Sequence, residues 1–136
     1  MEGGLEWILD VGGVAPERLA DEAGRSTLMG LFEALIADLE LHPVAPATWH
    51  VFDGPGGVTG LVPLSESHLA CHSYPEAGYL SLNLYTCRAR TEPDWRALLE
   101  HHLGPCEVEV RAIERGLPEV AGRAGRAARP GGPIRP

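Results

Sequence analysis

The stretch Tyr79-Leu80-Ser81-Leu82-Asn83-Leu84-Tyr85-Thr86-Cys87 alternates without a break. Leu80, Leu82, Leu84 and Thr86 fall on one side; Tyr79, Ser81, Asn83, Tyr85 and Cys87 fall on the other. Successive side chains of a strand point to opposite faces, so this is a strand with an apolar face and a polar, aromatic one. The leucine face suits packing under helices. The other face is too aromatic for plain solvent surface and calls for a second sheet or a ligand against it.

Working outward, Pro75-Glu76-Ala77-Gly78 reads as a turn and Ser67 to Tyr74 as the preceding strand. Val58 to Leu64, Thr48 to Phe52 and Leu5 to Asp10 are further strands, and Val108, Val110 and Ala112 alternate with charged residues in a last one. Leu28, Leu31, Phe32, Leu35, Ile36 and Leu39 recur at helical spacing, after a short helical stretch opened by Pro16 and running through Glu22. A second helix is expected from Pro93 to Leu103, burying Trp95, Leu98 and Leu99. The pattern predicts an α+β fold: a two-layer α/β sandwich, a mainly antiparallel sheet with two main helices on one face. Residues 1–116 form one domain, and the Gly, Ala, Arg and Pro run of 117–136 reads as a disordered tail.

A chain of 136 residues holds one core. A formal net charge of −8 argues against nucleic acid or an anionic membrane as the main partner, and no apolar run reaches spanning length. Three cysteines do not make a disulfide framework, so a reducing cytoplasm is the expected setting. The chain has no lysine; all eleven basic residues are arginine. A guanidinium stays protonated and forms no Schiff base, which excludes lysine-anchored pyridoxal phosphate here. Imine chemistry would need a carbonyl supplied by the protein.

Leu64-Ser65-Glu66-Ser67-His68-Leu69, followed by His72 and by Thr86-Cys87, offers a way to make one. A serine at a strand mouth can attack its own preceding carbonyl, giving an ester by an N→O acyl shift. β-Elimination then leaves dehydroalanine, which hydrolyses to a pyruvoyl group.

The ordered set Leu64-Ser-Glu-Ser-His-Leu69, Cys71-His-Ser-Tyr-Pro-Glu76, Gly78-Tyr79 and Tyr85-Thr-Cys87 resembles the central block of the short bacterial and archaeal S-adenosylmethionine decarboxylases. The similarity extends more weakly from about Gly4 to Gly116. It implies cleavage between Glu66 and Ser67, giving fragments 1–66 and 67–136, with Ser67 becoming the covalent pyruvoyl cofactor that takes the substrate amine. His72 corresponds to the base of the elimination, Thr59 to a hydroxyl that stabilises the tetrahedral intermediate, and Cys87 to the acid that protonates the substrate carbon after CO₂ leaves. Phe52, Tyr74 and Glu76 fall at substrate-binding positions. The family's sheet face packs against a second protomer, so a homodimer is implied, and the product would supply aminopropyl groups for polyamine synthesis.

The chain also departs from the family pattern. Gly4-Leu5-Glu6 lacks the usual histidine, Thr59 replaces serine, Tyr74 replaces tryptophan, and Asn83 and Arg88 flank the cysteine strand where aspartate and glycine are usual. These changes gather in the substrate shell, so ornithine or arginine stand as alternative substrates and an unprocessed regulatory homologue as an alternative role. A zinc site drawn from His68, Cys71, His72 and Cys87 fails on geometry, because Cys71 points away from both histidines on a regular strand.

Overall fold

The computed structural model describes residues 3–88 and 90–117. Six strands, β1 (Gly4–Gly12), β2 (Thr48–Val51), β3 (Val58–Pro63), β4 (Ser67–Tyr74), β5 (Tyr79–Thr86) and β6 (Glu107–Arg115), form one sheet in the order β2-β3-β4-β5-β1-β6. Every neighbouring pair is antiparallel. Helices α1 (Asp21–Asp38) and α2 (Trp95–Leu103) complete the expected α+β sandwich. The predicted tail, Leu117 apart, lies outside the described residues.

Alternation decides which side of each strand is dry. Trp7, Leu9 and Val11 of β1, Val58 and Val62 of β3, Leu69 and Cys71 of β4 and Leu80, Leu82 and Leu84 of β5 are all buried. They meet Leu28, Leu31, Phe32 and Leu35 of α1 and Trp95, Leu99 and Leu103 of α2 in one core. Burying a leucine fully is worth roughly 1.5–3 kcal/mol, so this face carries most of the stability. Gly60 serves it by absence: a Cβ there would lie 2.2 Å from the Trp49 ring, which packs on Phe32 with centroids 4.9 Å apart.

The helix boundaries differ from the periodic reading, with clear causes. The stretch from Pro16 is a single 3₁₀ turn, Pro16–Arg18, and α1 begins at Asp21. Leu39 lies past the end of α1: Glu40 adopts a left-handed conformation (φ 53°) and the Leu41 amide bonds back to the Ile36 carbonyl at 2.9 Å. Helix α2 starts at Trp95, capped by the Asp94 side chain, which accepts from the Ala97 amide at 3.1 Å. Its inward stripe is therefore Trp95, Leu99 and Leu103, and Leu98 is only half-buried.

Among the described residues no layer covers the opposite face of the sheet. There Asp10 accepts from the Tyr79 hydroxyl and pairs with Arg111 at 2.8 Å, while Glu6 accepts from Asn83 and pairs with Arg115 at 2.8 Å. The Tyr79 hydrogen bond to Asp10, with burial adding to it, pushes the phenol up to about 12.

Candidate active site

Strands β3 and β4 are joined by the shortest kind of hairpin. The Leu64 amide bonds to the Ser67 carbonyl at 2.9 Å and the Ser67 amide to the Leu64 carbonyl at 3.2 Å, leaving only Ser65 and Glu66 in the loop. Two-residue hairpins favour turns with positive φ; neither Ser65 nor Glu66 has one. The loop is steadied from outside instead, since the Ser65 amide bonds to the His42 carbonyl at 2.8 Å and Pro43 bridges Leu64. The Glu66–Ser67 peptide bond thus stands at the turn's exit, at the start of β4.

The groups around that bond converge on the Glu66 carbonyl. The Ser67 hydroxyl donates to it, and the Cys87 backbone amide donates to it at 3.2 Å. Cys87 is placed there by register, because Ser67 pairs with Thr86 and the next residues on each strand are Glu66 and Cys87. A fixed amide on a carbonyl oxygen supports the negative charge that develops there under nucleophilic attack. Sequence reading named the Cys87 thiol and missed its amide, which only strand pairing reveals.

A second cluster sits farther along β4. Thr59 and His72 are register partners on β3 and β4, and their side chains bond through Thr59 Oγ1 and His72 Nδ1 at 3.0 Å. They line a cleft of about 280 Å³ with Phe52, Asp53, Tyr74 and Glu76. Tyr74 stacks on Tyr79 with centroids 5.5 Å apart, and His50 meets the Phe52 ring edge-on at 4.4 Å. Phe52 and Tyr74 remain 53% and 44% exposed, so flat apolar surface faces outward for a ligand to cover.

Within one chain His72 does not stand beside Ser67: five steps along the strand separate them, about 16 Å at a rise of ~3.3 Å per residue. Their alternation also sets them on opposite faces. Within one chain the structure joins Glu66, Ser67 and Cys87 at one end of β4 and Phe52, Thr59, His72, Tyr74 and Glu76 at the other. Cys71 belongs to neither cluster. It is fully buried on the helix face, and burial pushes its thiol up to about 12, which leaves it inert. His68 and His72 lie on the other face, so the arrangement drawn for zinc does not form.

The fold is shared with a solved decarboxylase. The adenosylmethionine decarboxylase of Aquifex aeolicus superimposes with a TM-score of 0.66 at 28% identity, covering 88% of this chain and 95% of that one. The S-adenosylmethionine decarboxylase proenzyme of Methanococcus maripaludis is 35% identical over 116 residues, 84% of this chain and 90% of that protein. The arginine decarboxylase proenzyme of Ignicoccus hospitalis is 34% identical over 118 residues, 84% of this chain and 79% of that protein. Residues 5–116 match the family model described as S-adenosylmethionine decarboxylase. The chain belongs to the S-adenosylmethionine decarboxylase family, a family of carboxy-lyases.

Proposed function

We propose that this protein is a self-processing, pyruvoyl-dependent decarboxylase of S-adenosylmethionine, feeding polyamine synthesis in the cytoplasm. The observation that carries the self-processing reading is the convergence of the Ser67 hydroxyl and the Cys87 amide on the Glu66 carbonyl. In the acyl shift the bond from Ser67 Oγ to the Glu66 carbonyl carbon forms, the bond from that carbon to the Ser67 nitrogen breaks, and the hydroxyl proton ends on the freed amine. Elimination removes the Ser67 α-proton and releases Glu66 as a carboxylate. The dehydroalanine tautomerises, and water displaces ammonia. The pyruvoyl carbonyl would supply the electron sink for decarboxylation, and the Cys87 thiol would be the acid that delivers a proton to the substrate carbon, a role supported by the backbone contact of Cys87 with Glu66.

The distance from Ser67 to His72 supports a homodimer. A second copy would supply its own Thr59 and His72 to this chain's Ser67 at the end of β4, with the active site between or beside the two sheets, the kind of dimer the family resemblance implies. Phe52 and Tyr74 then offer flat rings to an adenine, and Glu76 a carboxylate to the sulfonium or amine.

Denaturing intact mass of the purified chain beside Ser67→Ala tests this reading. Two fragments meeting at Glu66–Ser67, the second with a pyruvoyl end that reacts with a hydrazine, are expected in the wild type alone. An intact wild-type chain would remove the carbonyl and favour a regulatory homologue. Arginine or ornithine is the second substrate reading, favoured by the Ignicoccus hospitalis relative's name and by Asp53 and Glu76 in the cleft. Turnover of each amino acid against S-adenosylmethionine separates them.

A further inference from the structure

The Glu66 side chain takes no part in the chemistry above, yet among the described residues it is the one buried acid. It is only 8% exposed, and two basic side chains distant in sequence reach it. His42 Nδ1 lies 2.8 Å from Glu66 Oε2, and an Arg90 guanidinium nitrogen lies 3.8 Å from the same oxygen. The segments that bring them also hold the backbone around the cut. The His42 carbonyl takes the Ser65 amide, and Arg90 follows shortly after Cys87, whose amide holds the Glu66 carbonyl.

We propose that His42 and Arg90 are positioning residues for self-cleavage. By clamping the Glu66 carboxylate they keep its carbonyl carbon against the Ser67 hydroxyl. This rests on the self-processing reading and adds to it two residues that the family resemblance did not single out.

Two physical arguments support the clamp. Attack on the Glu66 carbonyl places negative charge on its oxygen, a few bonds from the Glu66 carboxylate, and a bare carboxylate there would oppose that charge. A paired one opposes it far less. The clamp also has room to tighten: Glu66 Oε1 and Arg90 Nε are both buried without a hydrogen-bond partner among the described residues. Buried polar groups left so are unfavourable, and moving the guanidinium by about 1 Å would bring it within the ~2.8 Å typical of a strong two-point pair. Glu66 stays ionised for this. Burial pushes its carboxyl up, but hydrogen bonds from His42 and Ser65 and the His42 charge outweigh that and hold it down to about 2.

The test uses the full chain, translated in vitro and sampled over time by denaturing mass. His42→Ala and Arg90→Ala are each expected to slow cleavage about tenfold or more in a chain that still folds and melts cooperatively. Arg90→Lys should recover most of the rate, and Glu66→Gln should make the loss of Arg90 less harmful. Hydroxylamine cuts esters and spares amides. It should rescue His72→Ala, blocked after the ester forms, and leave Arg90→Ala slow, because that variant is blocked before it. If Arg90→Ala fails to fold, Arg90→Met keeps the apolar stem and replaces it. Variants that cleave at the wild-type rate, or that hydroxylamine rescues, overturn the clamp while leaving self-cleavage standing. A wild-type chain that stays intact overturns both, and no variant then differs from it.

Discussion

The two ends of β4 are built on opposite principles. At the Ser67 end the backbone is gripped from every side, by the hairpin bonds, the Cys87 amide, the His42 carbonyl and the buried Glu66 carboxylate. At the His72 end the groups are side chains in an open cleft, two of them the exposed aromatics Phe52 and Tyr74. Cutting a peptide bond demands one fixed geometry. Admitting a substrate demands room. One strand can meet both needs because Ser67 and His72 lie about 16 Å apart along it.

The comparison can be broken most completely at Ser67. Ser67→Ala should abolish cleavage while leaving the melting temperature in place, since the hydroxyl contributes to no core contact; a shortened chain by mass would end the reading. His72→Ala should slow processing by about 10²–10⁴-fold, the usual weight of a general base. Mixing unfolded His72→Ala with unfolded Ser67→Ala and refolding them together should restore cleavage of the former, because each heterodimer then holds one complete pair. Failure to restore it would put the base in the same chain, against the separation described here.

Next in size is the face that supports both ends. Leu84→Ala should cost about 2–5 kcal/mol in urea unfolding, whereas Arg115→Ala on the open face should cost at most about 1 kcal/mol. Equal losses would contradict the assignment of most of the stability to the helix-covered face. Thr59→Val should slow processing only about two- to tenfold if its hydroxyl merely orients His72 through their 3.0 Å bond. A loss of about 10²–10³-fold would instead assign it to the oxyanion.

The smallest effect is titration at the gripped end. The Glu66 carboxyl is held down to about 2 in the folded chain, below its ordinary 4.5. A lowered carboxyl contributes stability above its unfolded value and loses it as pH falls toward the folded one. Ser67→Ala should therefore lose more stability between about pH 5 and 2 than Ser67→Ala with Glu66→Gln, measured by melting in both. Parallel curves would show that the clamp does not hold the carboxylate.

Much of the fold was legible because alternation is a local property. Leu80, Leu82 and Leu84 announced a strand and its dry face, and the spacing of Leu28, Leu31, Phe32 and Leu35 announced α1. Strand order was not legible, since parity says which face a residue takes and nothing about which strand lies beside it; β1 between β5 and β6 is a tertiary choice. The site was half legible. Ser67, Cys87 and the cleft residues stand in recognisable strings, and the parity of 67 and 72 already placed them on different faces. His42 and Arg90 could not be found that way, because each sits in a connecting segment whose position depends on everything else having folded.

The insertion of β1 has a further consequence. Residues 1–66 contribute β1, β2 and β3, and residues 67–117 contribute β4, β5 and β6, but the sheet runs β2-β3-β4-β5-β1-β6. A chain cut between Glu66 and Ser67 would consist of two pieces interleaved like the fingers of clasped hands. Neither could leave without breaking ladders on both sides of β1. The nick would not loosen the protein, yet it would change the order of its refolding reaction: an intact chain refolds alone, whereas the cut pieces must first find each other, at a rate set by concentration. Such a molecule has to finish folding before it cuts itself, and once cut and unfolded it has no short way back.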